Sequence, residues 1–166
     1  MRTLFILRHA KSSWNDSQLA DHDRPLNKRG TLAAQQVGRF MRCKGWLPDF
    51  VLASSARRAQ ETLALWSKSA RFEGHTETHR DLYLAEPNAY LSHLKLLGAS
   101  NPERVMCIGH NPGLEELLTV LTGKRERLPT AALAHIEIAI DEWSALGKNA
   151  SARLVDLCLV KQLEDE

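Results

Sequence analysis

The chain has 166 residues, of which 43% are hydrophobic and 25% charged, and a formal net charge of +2. That balance is the balance of an ordinary globular protein and excludes collagen, coiled coil and a disordered chain. A domain of this length buries about 70% of the surface its unfolded chain exposes, so the core needs neither disulfide nor structural metal. One domain over residues 1–166 is expected.

The small charge excess gives no support to a nucleic-acid partner. Residues 4–7 form an apolar run too short for a secretory signal, and residues 131–140, the longest such stretch, are interrupted by His135 and Glu137. A cytoplasmic monomer without a membrane partner is therefore expected. Cys43, Cys107 and Cys158 are odd in number and lack CxxC spacing, so all three read as buried thiols.

Residues 3–7 read as a buried strand that stops at Arg8. The polar stretch from 8 to 28, with Pro25, is too long to be a plain connector in a compact domain and marks a functional loop. Apolar residues at 32, 33, 37, 40 and 41 predict a first helix over 27–43, with Gly45 as its stop. A strand at 50–53 and a helix at 57–69 follow, then a loop at Gly74. Pro87 opens a helix reaching Leu97, with Gly98 just past its end. Residues 104–108 make a third strand, and Asn111, Pro112 and Gly113 open a helix that ends at Gly123. Strands at 132–140 and 152–160 flank the turn-rich 144–151 and can pair as a hairpin. Residues 161–166 are expected to fray. The sum is a three-layer α/β domain with a mostly parallel central sheet, helices on both faces and a C-terminal antiparallel hairpin.

Ligands of such sheets bind beyond the carboxyl ends of the strands. There the sequence places Arg8, His9, Lys11, Ser12 and Asn15 after the first strand, Ser54 and Arg58 after the second, and His110 and Asn111 after the third. Two histidines and several arginines thus converge. Four ordered segments carry a resemblance: Arg8-His9-x-x-Ser12-x-x-Asn15, Arg24-Pro25-Leu26-Asn27-x-x-Gly30, Ser54-x-x-x-Arg58-Ala59-x-x-Thr62, and Gly109-His110-Asn111-Pro112. Together they resemble the histidine phosphatase superfamily, and the short length is most similar to its SixA-type phosphohistidine phosphatases. The resemblance implies His9 as the nucleophile, Arg8 and Arg58 as phosphate clamps and His110 as the second pocket histidine.

That assignment is chemically coherent. An imidazole is a usable nucleophile near neutral pH without an activating base, provided its other nitrogen is held. Guanidinium forks match the equatorial oxygens of a transferring phosphoryl group. His110 as an imidazolium, with the helix N-terminus at 111–112, would add donors, and with so much fixed charge no metal or other cofactor is expected. A low-pH loss of activity follows from protonation of His9, and a bell-shaped profile if His110 must be charged. Lys11, Ser12, Asn15 and Asn111 are candidate substrate contacts.

Glu86 is the candidate general acid, with helix capping as its competing role. A phosphohistidine leaving group needs such an acid less than an alkoxide does, which favours a phosphohistidine-containing protein over a small phosphorylated substrate. The alternatives are a phosphomonoesterase on sugar phosphates or nucleotides, and a non-catalytic phosphate-binding module. Ala10 stands where many superfamily members have Gly, a change that matters only if the backbone there needs a positive φ. His75 and His79 have the i, i+4 spacing of a helical metal pair, but Gly74 and the surrounding threonines favour an exposed loop or strand, and no metal is expected. His22, His93 and His135 have no partner motif. Trp14, Trp46, Trp66 and Trp143 read as packing residues, with Trp14 alone placed to border a ligand.

Overall fold

A computed structural model describes residues 1–147 and 150–163. Strands β1 (Arg2–Arg8), β2 (Phe50–Ser54), β3 (His75–His79), β4 (Arg104–Gly109), β5 (Leu133–Ile138) and β6 (Ala152–Cys158) form one sheet, ordered β3-β2-β4-β1-β5-β6. The β3/β2, β2/β4 and β4/β1 pairs are parallel; β1/β5 and β5/β6 are antiparallel. The expected hairpin thus closes one side of a parallel sheet. Two of its expected turn residues, 148 and 149, and the tail residues 164–166 lie outside the described residues.

Alternation along the central strands builds two cores, one on each face. Leu4 and Ile6 of β1 and Val105 and Cys107 of β4 face helices α3 (Pro87–Lys95) and α4 (Gly113–Thr122), meeting Tyr90, Leu94, Leu114 and Leu117. Phe5, Leu7, Met106 and Ile108 face α1 (Lys28–Lys44) and α2 (Arg57–Ala70), meeting Val37, Met41 and Trp66. A short α5 (Val160–Leu163) joins this second layer. Both faces of these strands are covered, which explains their near-continuous apolar runs.

Helix ends follow their local chemistry. The Asn27 side chain accepts the Gly30 N–H at 2.8 Å at the start of α1, and Gly45 ends it in the left-handed region. Two expectations need correction. The helix from Pro87 ends at Lys95, and Gly98 lies inside a 3-10 turn over Leu96–Ala99 rather than beyond the helix. Gly74 lies in a connecting segment as expected and leads into β3, a parallel edge strand whose HTETH sequence carries no apolar residue. Cys43 is exposed, whereas Cys107 and Cys158 are buried. Among the described residues no helix is long and apolar enough to cross a membrane.

Candidate active site

Because β1, β2 and β4 are parallel, their carboxyl ends meet at one edge of the sheet. A cavity of about 350 Å³ opens there, with Arg8, His9, Arg58, His110 and Asn111 in its wall. Larger hollows exist elsewhere on the surface, but this one gathers the chemistry-bearing strand ends.

His9 follows β1 and is held at both ends. Its backbone N–H donates to Gly109 O at 3.1 Å, and its Nδ1 lies 2.7 Å from Ala10 O. A carbonyl can only accept, so Nδ1 carries the proton and Nε2 keeps its lone pair. Arg58 Nε donates to that Nε2 at 3.4 Å. Ala10 itself has no positive φ, so the missing glycine costs nothing here.

The Ser54-x-x-x-Arg58-Ala59-x-x-Thr62 spacing now has a physical reason. Ser54 ends β2, Arg58 lies in the first turn of α2, and Thr62 sits one turn on. Thr62 Oγ1 accepts the Ala10 N–H at 3.0 Å and donates to Arg58 O at 2.7 Å, joining the His9 loop to the helix that carries Arg58. Ser54 Oγ accepts the Ala56 N–H and lies 2.7 Å from His110 Nε2. The rings of His9 and His110 stand 5.1 Å apart.

Three cavity residues have a buried polar atom with no hydrogen-bond partner: Arg8 Nε, His110 Nδ1 and Asn111 Oδ1. Buried polar groups are rarely left so, and a bound polar ligand is one way to satisfy them. Arg8 also donates to Leu128 O at 3.0 Å, and Asn111 Nδ2 donates to Leu128 O and Glu115 Oε1. At the start of α4, the Leu114 N–H is already bonded to His110 O, so this helix end offers fewer free donors than the sequence suggests.

Asp21, Arg24 and Tyr83 were not among the sequence candidates. Arg58 donates to Asp21 through Nη1 to the backbone oxygen at 2.7 Å and through Nη2 to Oδ2 at 3.0 Å. Arg24 Nη1 donates to Asp21 Oδ1 at 2.9 Å, and the Tyr83 hydroxyl donates a very short hydrogen bond to Asp21 Oδ2. Arg24 is buried, with further bonds to Ser13 O and Ser12 Oγ, and its guanidinium lies 3.2 Å from the centre of the Trp14 ring. The Arg24 run was a visible signal; Asp21 and Tyr83 had none, being 62 residues apart in the chain.

The remaining candidates divide. Lys11 and Ser12 line the cavity. Asn15 does not: it is exposed in a turn where its N–H bonds Ser13 Oγ. Glu86 is no wall of the cavity either; it is exposed at the N-cap of α3, and its side chain makes no capping bond. The carboxylate in the cavity wall is Asp21 instead.

Burial, reinforced by Arg58, Arg8 and Arg24, lowers the His9 pKa to about 4 against the opposing pull of the Ala10 carbonyl. Burial and the neighbouring His9 and Arg58 lower His110 to about 3. His110 is therefore neutral at pH 7, not the imidazolium expected. Asp21 is held well below the usual carboxylate range by its bonds to Tyr83, Arg24 and Arg58, which outweigh its partial burial.

Two histidines and three arginines meet in one cavity at the carboxyl ends of the parallel strands of a mixed α/β sheet, a setting suited to an oxyanion. The sequence pattern of the histidine phosphatase superfamily (branch 1) matches residues 4–86, and the chain belongs to that superfamily, which implies phosphatase chemistry. An uncharacterized chloroplastic protein of Arabidopsis thaliana is 36% identical over 152 residues, covering 86% of this chain and 69% of the relative. A solved SixA structure from Agrobacterium tumefaciens superposes with a TM-score of 0.80 at 25% identity, covering 95% of this chain and 98% of its own. The protein histidine phosphatase SixA complexed with tungstate superposes at 0.83 and 20% identity, with 97% and 99% coverage, and shares the fold.

Proposed function

We propose that this chain is a protein phosphohistidine phosphatase working through a phosphorylated His9. His9 Nε2 attacks the phosphorus, the N–P bond of the substrate breaks, and the departing imidazole nitrogen takes a proton from solvent. Water then attacks the phosphorus on His9, its proton passes to solvent, and the His9 N–P bond breaks to release phosphate. Arg8, Arg58 and Arg24 surround the equatorial oxygens, and neutral His110, beside His9, offers its unpartnered Nδ1 to the same group.

One observation carries the choice of substrate. The carboxyl group in the cavity wall, Asp21, is clamped as an anion by Arg58, Arg24 and Tyr83 and has no proton to give an alkoxide at neutral pH. A phosphoramidate does not need that proton donor to the same degree, because imidazole is a far weaker base than an alkoxide.

The test is phosphate release from one peptide carrying phosphohistidine and from its phosphoserine counterpart, with His9→Ala as blank and EDTA in a parallel series. The expected result is His9-dependent, EDTA-insensitive release that favours phosphohistidine. Preference for phosphoserine overturns the substrate reading, and binding of the phosphopeptide without release overturns catalysis.

A further inference from the structure

We propose that His79, Asp81 and His93 form a binding site for a divalent transition-metal ion of the zinc class, separate from the cavity described above. The i, i+4 pair His75 and His79 is not this site: on the extended β3 its members lie about 13 Å apart along the strand, and His75 is exposed. The fold instead brings His79, at the end of β3, to Asp81 in the 3-10 turn Arg80–Leu82 and His93 in α3. One ligand atom from each can be chosen so that all lie within 4.8 Å of one another.

The details suit a cation. His93 Nε2 donates to the Asp81 carboxylate, standing 2.9 and 2.8 Å from its two oxygens, so the two ligand groups are already paired and a divalent ion would take the place of the shared proton. The rings of His79 and His93 stack with centroids 3.9 Å apart. Glu77 Oε2 lies 2.9 Å from His79 Nε2, so a carboxylate can hold one ring nitrogen while the other faces a metal. The histidines are largely sheltered, with side chains 28% and 16% exposed, while Asp81 at 64% leaves an entry from solvent. Two imidazoles and one carboxylate suit zinc, and three protein ligands leave a fourth position for water.

The site's place gives it a consequence. A shared ion closes a ring from residue 79 to residue 93, and inside that ring lie Tyr83, which bonds Asp21, and the cavity residue Leu84 at φ 49°. None of the three ligands lines the cavity.

Zn²⁺ titration of the untagged full chain by calorimetry, repeated on His93→Gln, Asp81→Asn and His9→Ala, tests this, with circular dichroism confirming that each variant is folded. One ion per chain is expected, bound at least tenfold more weakly by His93→Gln and Asp81→Asn and unchanged in His9→Ala. No binding by the wild type, equal binding by the first two variants, or loss confined to His9→Ala overturns the site; Asp81→Asn guards against a misfolded His93→Gln.

Discussion

Asp21 places a negative charge where a phosphate would also seek Arg58 and Arg24. Replacing it by Asn removes the competitor, so inorganic phosphate should inhibit Asp21→Asn about fivefold more tightly, a Coulomb effect already discounted for the partial exposure of this carboxylate. Weaker inhibition would show that Asp21 acts mainly by orienting the arginines. The neutral His9 makes a second prediction. Since kcat/KM reports the free enzyme, its acid limb should lie near pH 4, where the lone pair of Nε2 is lost, and the rate should hold from about pH 8 to 5. An acid-stable aryl phosphate, corrected for its own ionisation, provides the measurement. His9, Arg8, Arg58 and His110 were legible because each lies in a short run with fixed spacing. Asp21 and Tyr83 were not, because their link to the cavity is a tertiary contact between a loop and the segment after a 3-10 turn. Glu86 misled for the opposite reason: it falls in the right stretch of chain, but its backbone position at the cap of α3 leaves it exposed outside the cavity.

At the scale of elements, the site depends on a strand end and a helix start being held in register. Thr62 is that fastening, and Thr62→Val keeps the shape while leaving the Ala10 N–H buried and unpaired. A loss of about 1–3 kcal/mol in urea unfolding is expected, with slower phosphate release, and Thr62→Ser should restore both. Gly30 performs the same service for α1. A Cβ there would stand 2.1 Å from Lys11 O, so the helix can approach the loop after His9 only with glycine at that position. The four long helices announced themselves through apolar spacing and their Asn, Pro and Gly boundaries. β3 did not, since an edge strand of alternating His, Thr and Glu buries too little to leave an apolar rhythm, and its pairing with β2 is what makes it a strand.

The whole molecule stores several histidines in neutral form. His9 and His110 titrate at about 4 and 3, and burial also lowers His135, which is packed against Phe5 and Trp46 with Nδ1 unpartnered. Each folded pKa lies below the unfolded value of about 6.5, so the unfolded chain takes up protons first. Their contribution to stability is complete above about pH 6.5 and is lost as pH falls toward 4 and 3, by up to about 1.4 kcal/mol per pH unit for each histidine. Urea midpoints at pH 7, 5.5 and 4.5 should therefore fall progressively, and His135→Gln should flatten part of the slope. The three-layer architecture was readable in advance because the apolar runs of β1 and β4 fit only strands covered on both faces. The detailed order of the strands was not, because crossover connections leave no local mark in the sequence.

Trp66 belongs to the core beneath α1 and α2, Trp143 to the core beneath α3 and α4, and Trp14 lies 75% exposed against Arg24 at the cavity mouth. Tryptophan emission depends on polarity and on nearby charge, so the protein carries its own optical labels for each layer and for the mouth. Oxyanion binding that shifts the Arg24 guanidinium should change the red-edge emission of Trp14 while leaving the blue emission of the two buried indoles untouched, and Trp14→Phe should abolish that signal. Occupancy of the pocket can then be followed in real time without a chromogenic substrate.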